Sequence, residues 1–321
     1  MSKRETIPIF FTIDRSFAPY LECAVRSMAE NASEEYDYKI HVLCQNVDDE
    51  AKEKIAFCQK KNFTVVFTEM GDELAGISDR IGNRLRCDYF TLTIYFRLFI
   101  AEMFTQYDKG IYIDSDVIIP GDISQLYNLE LGENIIGACP DLSIRKIPEF
   151  VSYVKNAVGV EIESYVNSGV LLMNLKMMRE KKFNEHFLYL FNKYHFQNVA
   201  PDQDYINAIC KGRVMLLDES WDAMPPQNED RVPLEKPNII HYNLFLKPWC
   251  YDGIAYREYF WKYAEASPFL DEIKKCKENY SLEQKRSDQK CLQTMLENAI
   301  EIEKQDITFK KIYESGEKIR I

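Results

Sequence analysis

The stretch Ile111-Tyr112-Ile113-Asp114-Ser115-Asp116-Val117-Ile118-Ile119 sets two carboxylates inside an otherwise apolar run. A run of β-branched and aromatic residues reads as a buried strand, and in an extended segment residues i and i+2 point to the same side. A core strand over Gly110–Ile119 would therefore present Asp114 and Asp116 together. Two adjacent anions leaving a core repel each other and call for a counter-charge, which a divalent cation supplies. The plainer alternative is a solvent turn capped by Asp and Ser. The flanking Ile111, Ile113 and Val117–Ile119 weigh against it.

Upstream, strand and helix patterns alternate. Ile7–Ile13, Tyr38–Cys44 and Phe63–Thr68 read as strands, and Phe17–Glu30, Asp48–Lys60 and Thr93–Phe104 as helices. Strands separated by helical segments predict βαβ units around a largely parallel sheet, whose carboxyl edge is where ligands of open α/β folds bind. Downstream, Asn167–Leu175, Arg213–Leu217 and Asn238–His241 read as strands. Phe183–Tyr194 and Asp202–Cys210, the latter opened by Pro201, read as helices. Beyond Pro268 apolar residues recur at helical spacing (Phe269, Ile273, Cys276, Tyr280; then Leu292, Leu296, Ile300). The expected organisation is an α/β catalytic domain over 1–267 and a mostly helical appendage over 268–321.

Of the 321 residues, 46% are hydrophobic and 13% aromatic, enough for a sizeable core, and the net charge is −11. Such an acidic balance argues against a nucleic-acid partner, which needs concentrated Lys and Arg. It leaves a phosphorylated small molecule open, because a bound metal can reverse the sign of one pocket. The nine cysteines are scattered and form no C-x-x-C pair, so a zinc site or disulfide framework is not expected and a reducing compartment is. The early apolar run contains Pro8 and Thr12 and ends at Asp14, unlike a signal peptide, and no stretch approaches the roughly 18–20 apolar residues of a membrane span. A cytoplasmic location is expected. Residues 268–321 balance 11 Lys+Arg against 11 Asp+Glu. Lys274, Lys275, Lys277, Lys285 and Arg286 offer a peripheral contact to the inner membrane face, although interspersed acids favour a solvated helical face.

Taken alone, the D-x-D pair fits two chemistries: a metal bound to the diphosphate of a sugar donor, or a phosphoaspartyl phosphatase. The phosphatase arrangement puts its D-x-D on the first strand, where this chain has only Asp14. A catalytically silent nucleotide-sugar-binding protein is a third reading.

Six segments occur together and in one order: Phe11-Thr12-Ile13-Asp14 with Tyr20; Tyr95-Phe96-Arg97-Leu98; Tyr112-Ile113-Asp114-Ser115-Asp116; Asn167-Ser168-Gly169-Val170-Leu171-Leu172-Met173-Asn174-Leu175; Asp202-Gln203-Asp204; and His241-Tyr242 with Lys247-Pro248-Trp249. With this set the chain resembles glycosyltransferase family 8, the bacterial lipopolysaccharide galactosyl- and glucosyltransferase group that includes glycogenin. The resemblance covers about residues 7–250. It implies a GT-A fold, a UDP-hexose donor, a glycan or glycolipid acceptor, Mn²⁺ (with Mg²⁺ as substitute) and retention of anomeric configuration.

Residue roles follow from the resemblance. Asp114, Asp116 and His241 would hold the metal, a mixed oxygen and nitrogen set that suits Mn²⁺ better than Mg²⁺. Thr12, Asp14 and Phe17 would bind uracil and ribose, with helix capping the competing role for Asp14. Arg97 would lie near the donor's sugar and phosphate, or else form an internal salt bridge. Ser115 would sit in the donor site between the two acids, and Lys247 would contact the diphosphate. Asp141, Asn167, Asp202 and Gln203 would line the sugar pocket. Gln203 would sit nearest the anomeric carbon, with Asp202 as the fallback nucleophile. The family's usual glycine between the His and the Lys is absent; Asn243-Leu244-Phe245-Leu246 stands there.

Overall fold

The computed structural model describes residues 4–57, 60–70, 92–226 and 232–321. Within them the chain alternates β1 (Thr6–Asp14), α1 (Ala18–Asn31), β2 (Asp37–Gln45), α2 (Asp49–Ala56) and β3 (Phe63–Glu69). A 3₁₀ turn over Leu92–Phe99 leads into the short α3 (Ile100–Met103), then β4 (Gly110–Ile113), β5 (Val117–Ile118), α4 (Ile123–Tyr127) and β6 (Ile136–Ala138). The second half adds α5 (Pro148–Tyr153), β7 (Val170–Met173), α6 (Leu175–Glu180), α7 (Phe183–Tyr194), α8 (Pro201–Ile209), β8 (Val214–Leu216) and β9 (Ile240–His241). Four helices close the chain: α9 (Arg257–Ala264), α10 (Leu270–Asn279), α11 (Leu282–Ile302) and α12 (Phe309–Glu314).

Among the described residues, seven strands form one sheet in the order β3-β2-β1-β4-β7-β6-β8. The pairs β1–β2, β2–β3, β1–β4 and β6–β8 are parallel, while β7 runs antiparallel to both β4 and β6. The mixed, mostly parallel sheet expected from the alternating pattern is therefore present. Strands β5 and β9 form a separate antiparallel pair.

The period-two alternation of strands assigns side chains to two cores, one per face. Ile7, Ile9, Phe11 and Ile13 of β1, with Ile111 and Ile113 of β4, join one cluster with Leu21 of α1 and Phe260 of α9. Phe10 and Tyr112 point the other way, into a cluster with Phe187, Phe191 and Tyr205. Burial on both faces explains why β1 reads as an unbroken apolar run rather than an alternating one. The C-terminal helices serve both sides: Phe269 and Ile273 enter the first core, and Met295, Ala299, Ile302 and Phe309 the second. Lys277 of α10 pairs with Asp252 at 2.9 Å, and Lys285 lies 5.3 Å from the Tyr251 ring centre, so two of the five basic residues named for a membrane contact face the body of the protein.

Two sequence expectations fail. The single strand over Gly110–Ile119 is broken: β4 ends at Ile113, β5 begins at Val117, and Asp114-Ser115-Asp116 is the link that lets the chain leave one sheet for the other. The α-helix over Thr93–Phe104 is instead mostly 3₁₀, with only Ile100–Met103 α-helical. Cysteines 23, 44, 139, 210, 250 and 276 are not disulfide-bonded, whereas Cys291 is; Cys58 and Cys87, like the end of the Asp48–Lys60 helix, lie outside the described residues. No described helix is long and apolar enough to cross a membrane.

Candidate active site

The site lies where β1 and β4 end and the antiparallel β7 begins. Pairing of Ile113 with Val170 brings Gly169 beside the D-x-D link, where its carbonyl accepts from the Asp114 amide at 2.7 Å. The β5–β9 pair registers Val117 opposite His241, which delivers the imidazole to the same link. One ligand atom each of Asp114, Asp116 and His241 can be chosen so that all lie within 4.8 Å of one another. His241 Nε2 is 3.3 Å from Asp116 Oδ1 and 3.9 Å from Asp114 Oδ2. A glycine is required beside them. A Cβ at Gly169 would stand 2.3 Å from His241 Cε1 and 2.9 Å from Asp114 Oδ2.

His241 is held from behind. Its Nδ1 lies 2.9 Å from Oδ1 of Asp222, which is fully buried on the turn Glu219–Asp222. This leaves Nε2 facing the acid pair, with the tautomer set by a carboxylate, as in histidines that ligate metals. Burial lowers the His241 pKa, but Asp116 and Asp222 outweigh it and carry it up to about 10. Burial disfavours the Asp116 carboxylate, yet Lys247 and His241 hold its pKa well below the usual range. The Lys247 ammonium donates to Asp116 and to the Tyr242 carbonyl, which places the expected diphosphate-contacting lysine on the acid pair itself.

Arg97 is the hub of the inner wall. It is 4% exposed, ion-paired with Asp114 at 3.0 Å and with Asp202 at 3.2 Å, and donates to the Ser168 carbonyl at 2.7 Å. Its guanidinium carbon is 4.4 Å from the Tyr112 ring centre. The Tyr112 hydroxyl donates to Asp114 Oδ1 at 2.6 Å and lies 2.9 Å from Thr12 Oγ1. The internal salt-bridge role thus describes the contacts Arg97 makes, and it fixes Asp114.

The four residues expected around the sugar form one connected set. Gln203 Nε2 donates to Asp141 Oδ2 at 2.9 Å, and Asn167 Nδ2 donates to the same oxygen at 3.2 Å. Gln203 Oε1 accepts from the Ser168 amide at 3.1 Å, and Asp202 Oδ2 accepts from the Ser168 hydroxyl at 2.9 Å. Pro201 at the start of α8 puts Asp202, Gln203 and Asp204 in its first turn, where acids oppose the helix dipole. Asp204 turns away to accept from Tyr153 and Tyr165, both at 2.7 Å, so it anchors the helix while its two neighbours face the site.

Other expected residues lie nearer the rim. Asp14 accepts from the Ser16 amide at 2.8 Å, so it does cap the turn Arg15–Phe17. Phe17 is 36% exposed and packs edge-on against Tyr20. Ser115 is buried. Leu244, where the family's glycine was missed, adopts φ +57, a left-handed conformation that costs an L-residue roughly 1–2 kcal/mol. The backbone therefore keeps a shape that glycine favours. Asp222, Tyr112 and the Ser168-Gly169 backbone were not singled out for roles. Asp222 belongs to no motif spacing, and only the fold brings it to His241.

Two carboxylates and one imidazole with an ordered second nitrogen form a mixed oxygen and nitrogen set suited to a first-row divalent cation, and Gly169 lets His241 and Asp114 come together.

Residues 8–253 match the profile of Glycosyl transferase family 8. A Haemophilus influenzae protein named as a glycosyltransferase is 29% identical over 236 residues, 74% of this chain and 68% of that protein. The Escherichia coli lipopolysaccharide 1,2-glucosyltransferase is 28% identical over 207 residues, 59% of this chain and 60% of the relative, so the chain spans about two thirds or less of these relatives. The solved structure of the galactosyltransferase LgtC, in complex with donor and acceptor sugar analogues, superposes with a TM-score of 0.68 at 24% identity over 82% of this chain and 96% of that one. The shared fold is GT-A. With the profile match covering most of the sequence around this site, the chain belongs to glycosyltransferase family 8.

Proposed function

We propose that the chain transfers a hexose, glucose or galactose, from a UDP-sugar to a glycan or glycolipid acceptor, with retention at the anomeric carbon and dependence on Mn²⁺. The observation that carries this reading is the convergence of Asp114, Asp116 and His241 at the sheet edge, where only a glycine at 169 lets His241 and Asp114 pack so closely. Bound there, the cation would offset the negative charge that develops on the departing diphosphate.

The protein groups have separable roles in this reading. Asp114 and Asp116 bind, Asp222 orients His241, and Arg97 ion-pairs with Asp114 and Asp202 in a buried wall. Lys247 lies close enough to exchange part of its contact with Asp116 for a phosphate oxygen. Gln203, tied to Asp141 and the Ser168 amide, presents an amide rather than a carboxylate to the sugar. An amide is a poor nucleophile, so a two-carboxylate double displacement is hard to build from it. A same-face substitution with an oxocarbenium-like transition state fits better. In it Gln203 and Asp202 stabilise positive charge, and the leaving phosphate takes the acceptor's proton.

The test is hydrolysis of UDP-glucose and UDP-galactose without acceptor. Turnover should require Mn²⁺ and vanish in Asp114→Asn. Robust phosphomonoester hydrolysis unaffected by that change would favour the phosphatase, and UDP binding without any donor turnover the silent binder.

A further inference from the structure

A cavity of about 750 Å³ opens beside the site, within the range of about 300–1,000 Å³ typical of small-molecule pockets. Three of its walls are chain neighbours of site residues. Leu142 and Ser143 follow Asp141, and Ser143 donates its amide to that carboxylate at 3.0 Å. Leu244, Phe245 and Leu246 form the loop between His241 and Lys247. Glu219 and Pro225 bracket Asp222. Helix α11 adds Asp288, Gln289 and Leu292, and Arg145, Lys146, Ile147, Glu163 and Tyr251 complete the lining.

The lining is itself amphipathic, with polar and charged groups for a sugar and a set of aliphatic and aromatic side chains that a sugar alone does not use. A bare sugar presents hydroxyls in every direction and needs polar partners on most sides, because a polar group buried without one is costly. Here Leu142, Leu244, Phe245 and Leu246, close in sequence to site residues, are apolar, as are Ile147 and Leu292. The apolar wall is held in place rather than adaptable. Asp288 of α11 accepts from both the Tyr251 and Tyr280 hydroxyls at 2.6 Å, which pins the helix against the loop that follows Lys247. Pre-formed apolar walls favour an apolar guest.

We infer that the acceptor is amphipathic: a sugar whose hydroxyl reaches the donor site and whose attached hydrocarbon or aromatic group fills this cavity against α11. The inference rests on the glycosyl-transfer reading, and it assigns Leu292 a role in acceptor selection at a distance from the metal ligands. An alkyl chain and an aromatic ring share the chemistry required, so both are tested.

The experiment compares octyl and phenyl β-glycosides of glucose and galactose with the free sugars, below the micellar concentration of the octyl compounds, using the full chain, Mn²⁺ and the better UDP-hexose. At least one glycoside class should be used with kcat/KM about tenfold or more above its free sugar, the effect of burying a few methylene equivalents. Leu292→Lys should remove that preference, and Leu292→Ala should reduce it, while donor hydrolysis without acceptor stays unchanged in both. Equal use of free and substituted sugars, or a preference that survives Leu292→Lys, overturns the inference. Calorimetric binding of the same glycosides in the presence of UDP and Mn²⁺ separates this from failure of the functional reading. Loss of donor turnover with Leu292-dependent glycoside binding indicts only the transferase reading. Glycoside binding that is absent, or indifferent to Leu292→Lys, overturns the cavity assignment.

Discussion

Asp222 Oδ1 lies 2.9 Å from His241 Nδ1, and this contact fixes which imidazole nitrogen faces Asp114 and Asp116. A carboxylate behind a ligating histidine sets its tautomer and raises its basicity, and its loss costs about 10–100-fold in metal affinity. Asp222→Asn should therefore weaken Mn²⁺ binding by about that factor in a calorimetric titration without abolishing it. Unchanged affinity would remove Asp222 from the site.

Arg97 sits between Asp114 and Asp202 with little access to water. Removing the cation from such a buried group leaves uncompensated carboxylates, so Arg97→Met should lower stability by about 3–5 kcal/mol in urea denaturation. Arg97→Lys keeps the charge but loses the fork that reaches Asp114, Asp202 and the Ser168 carbonyl together. It should fold and hydrolyse donor at least about tenfold more slowly, by the arithmetic of about 1.4 kcal/mol per decade.

Gly169→Ala places a methyl group against His241 Cε1 and Asp114 Oδ2. Overpacking of this kind costs about 1–3 kcal/mol. Because the atoms that must yield are on ligands, metal affinity should fall by more than the melting temperature suggests. Calorimetry with Mn²⁺ set beside a thermal melt checks this, and an alanine variant with wild-type affinity contradicts it.

His41 supplies a pH prediction remote from the metal site. Its ring stacks on Phe10, Nε2 is 3.1 Å from the Tyr107 hydroxyl, and burial, aided by Lys39, lowers its pKa to about 4. The folded protein then resists a proton that the unfolded chain accepts near pH 6.5. The neutral ring's full contribution is present above that pH and is lost as pH falls from about 6.5 towards 4. The slope of stability against pH in this window should flatten in His41→Phe, measured by urea denaturation at several pH values.

The legible parts of the fold were those written in local pattern. The apolar runs of β1 and β2 and the amphipathic spacing of α7 carry their own periodicity, and the helix Phe183–Tyr194 is observed with its expected limits. The break at Asp114-Ser115-Asp116 was hidden because Ile111–Ile113 and Val117–Ile119 are equally apolar. Only pairing with two different partners, β7 and β9, separates them. In the site, the proposed metal-binding trio could be named because each member stands in a recognisable segment. Asp222 and Tyr112 could not, since their roles depend on contacts across 19 residues in one case and on an inward-facing hydroxyl in the other. The missing glycine at Leu244 marked a real backbone demand, met by an L-residue at φ +57.

The central claim is that Asp114, Asp116 and His241 form a cation site through which a uridine diphosphate group is held. Titrating UDP into wild type and Asp114→Asn, each with Mn²⁺ and with chelator, tests it most directly. The account predicts tight UDP binding only for wild type with Mn²⁺, and weak binding in the other three mixtures. Equal UDP affinity with chelator, or an Asp114→Asn variant that binds as wild type does, would contradict it.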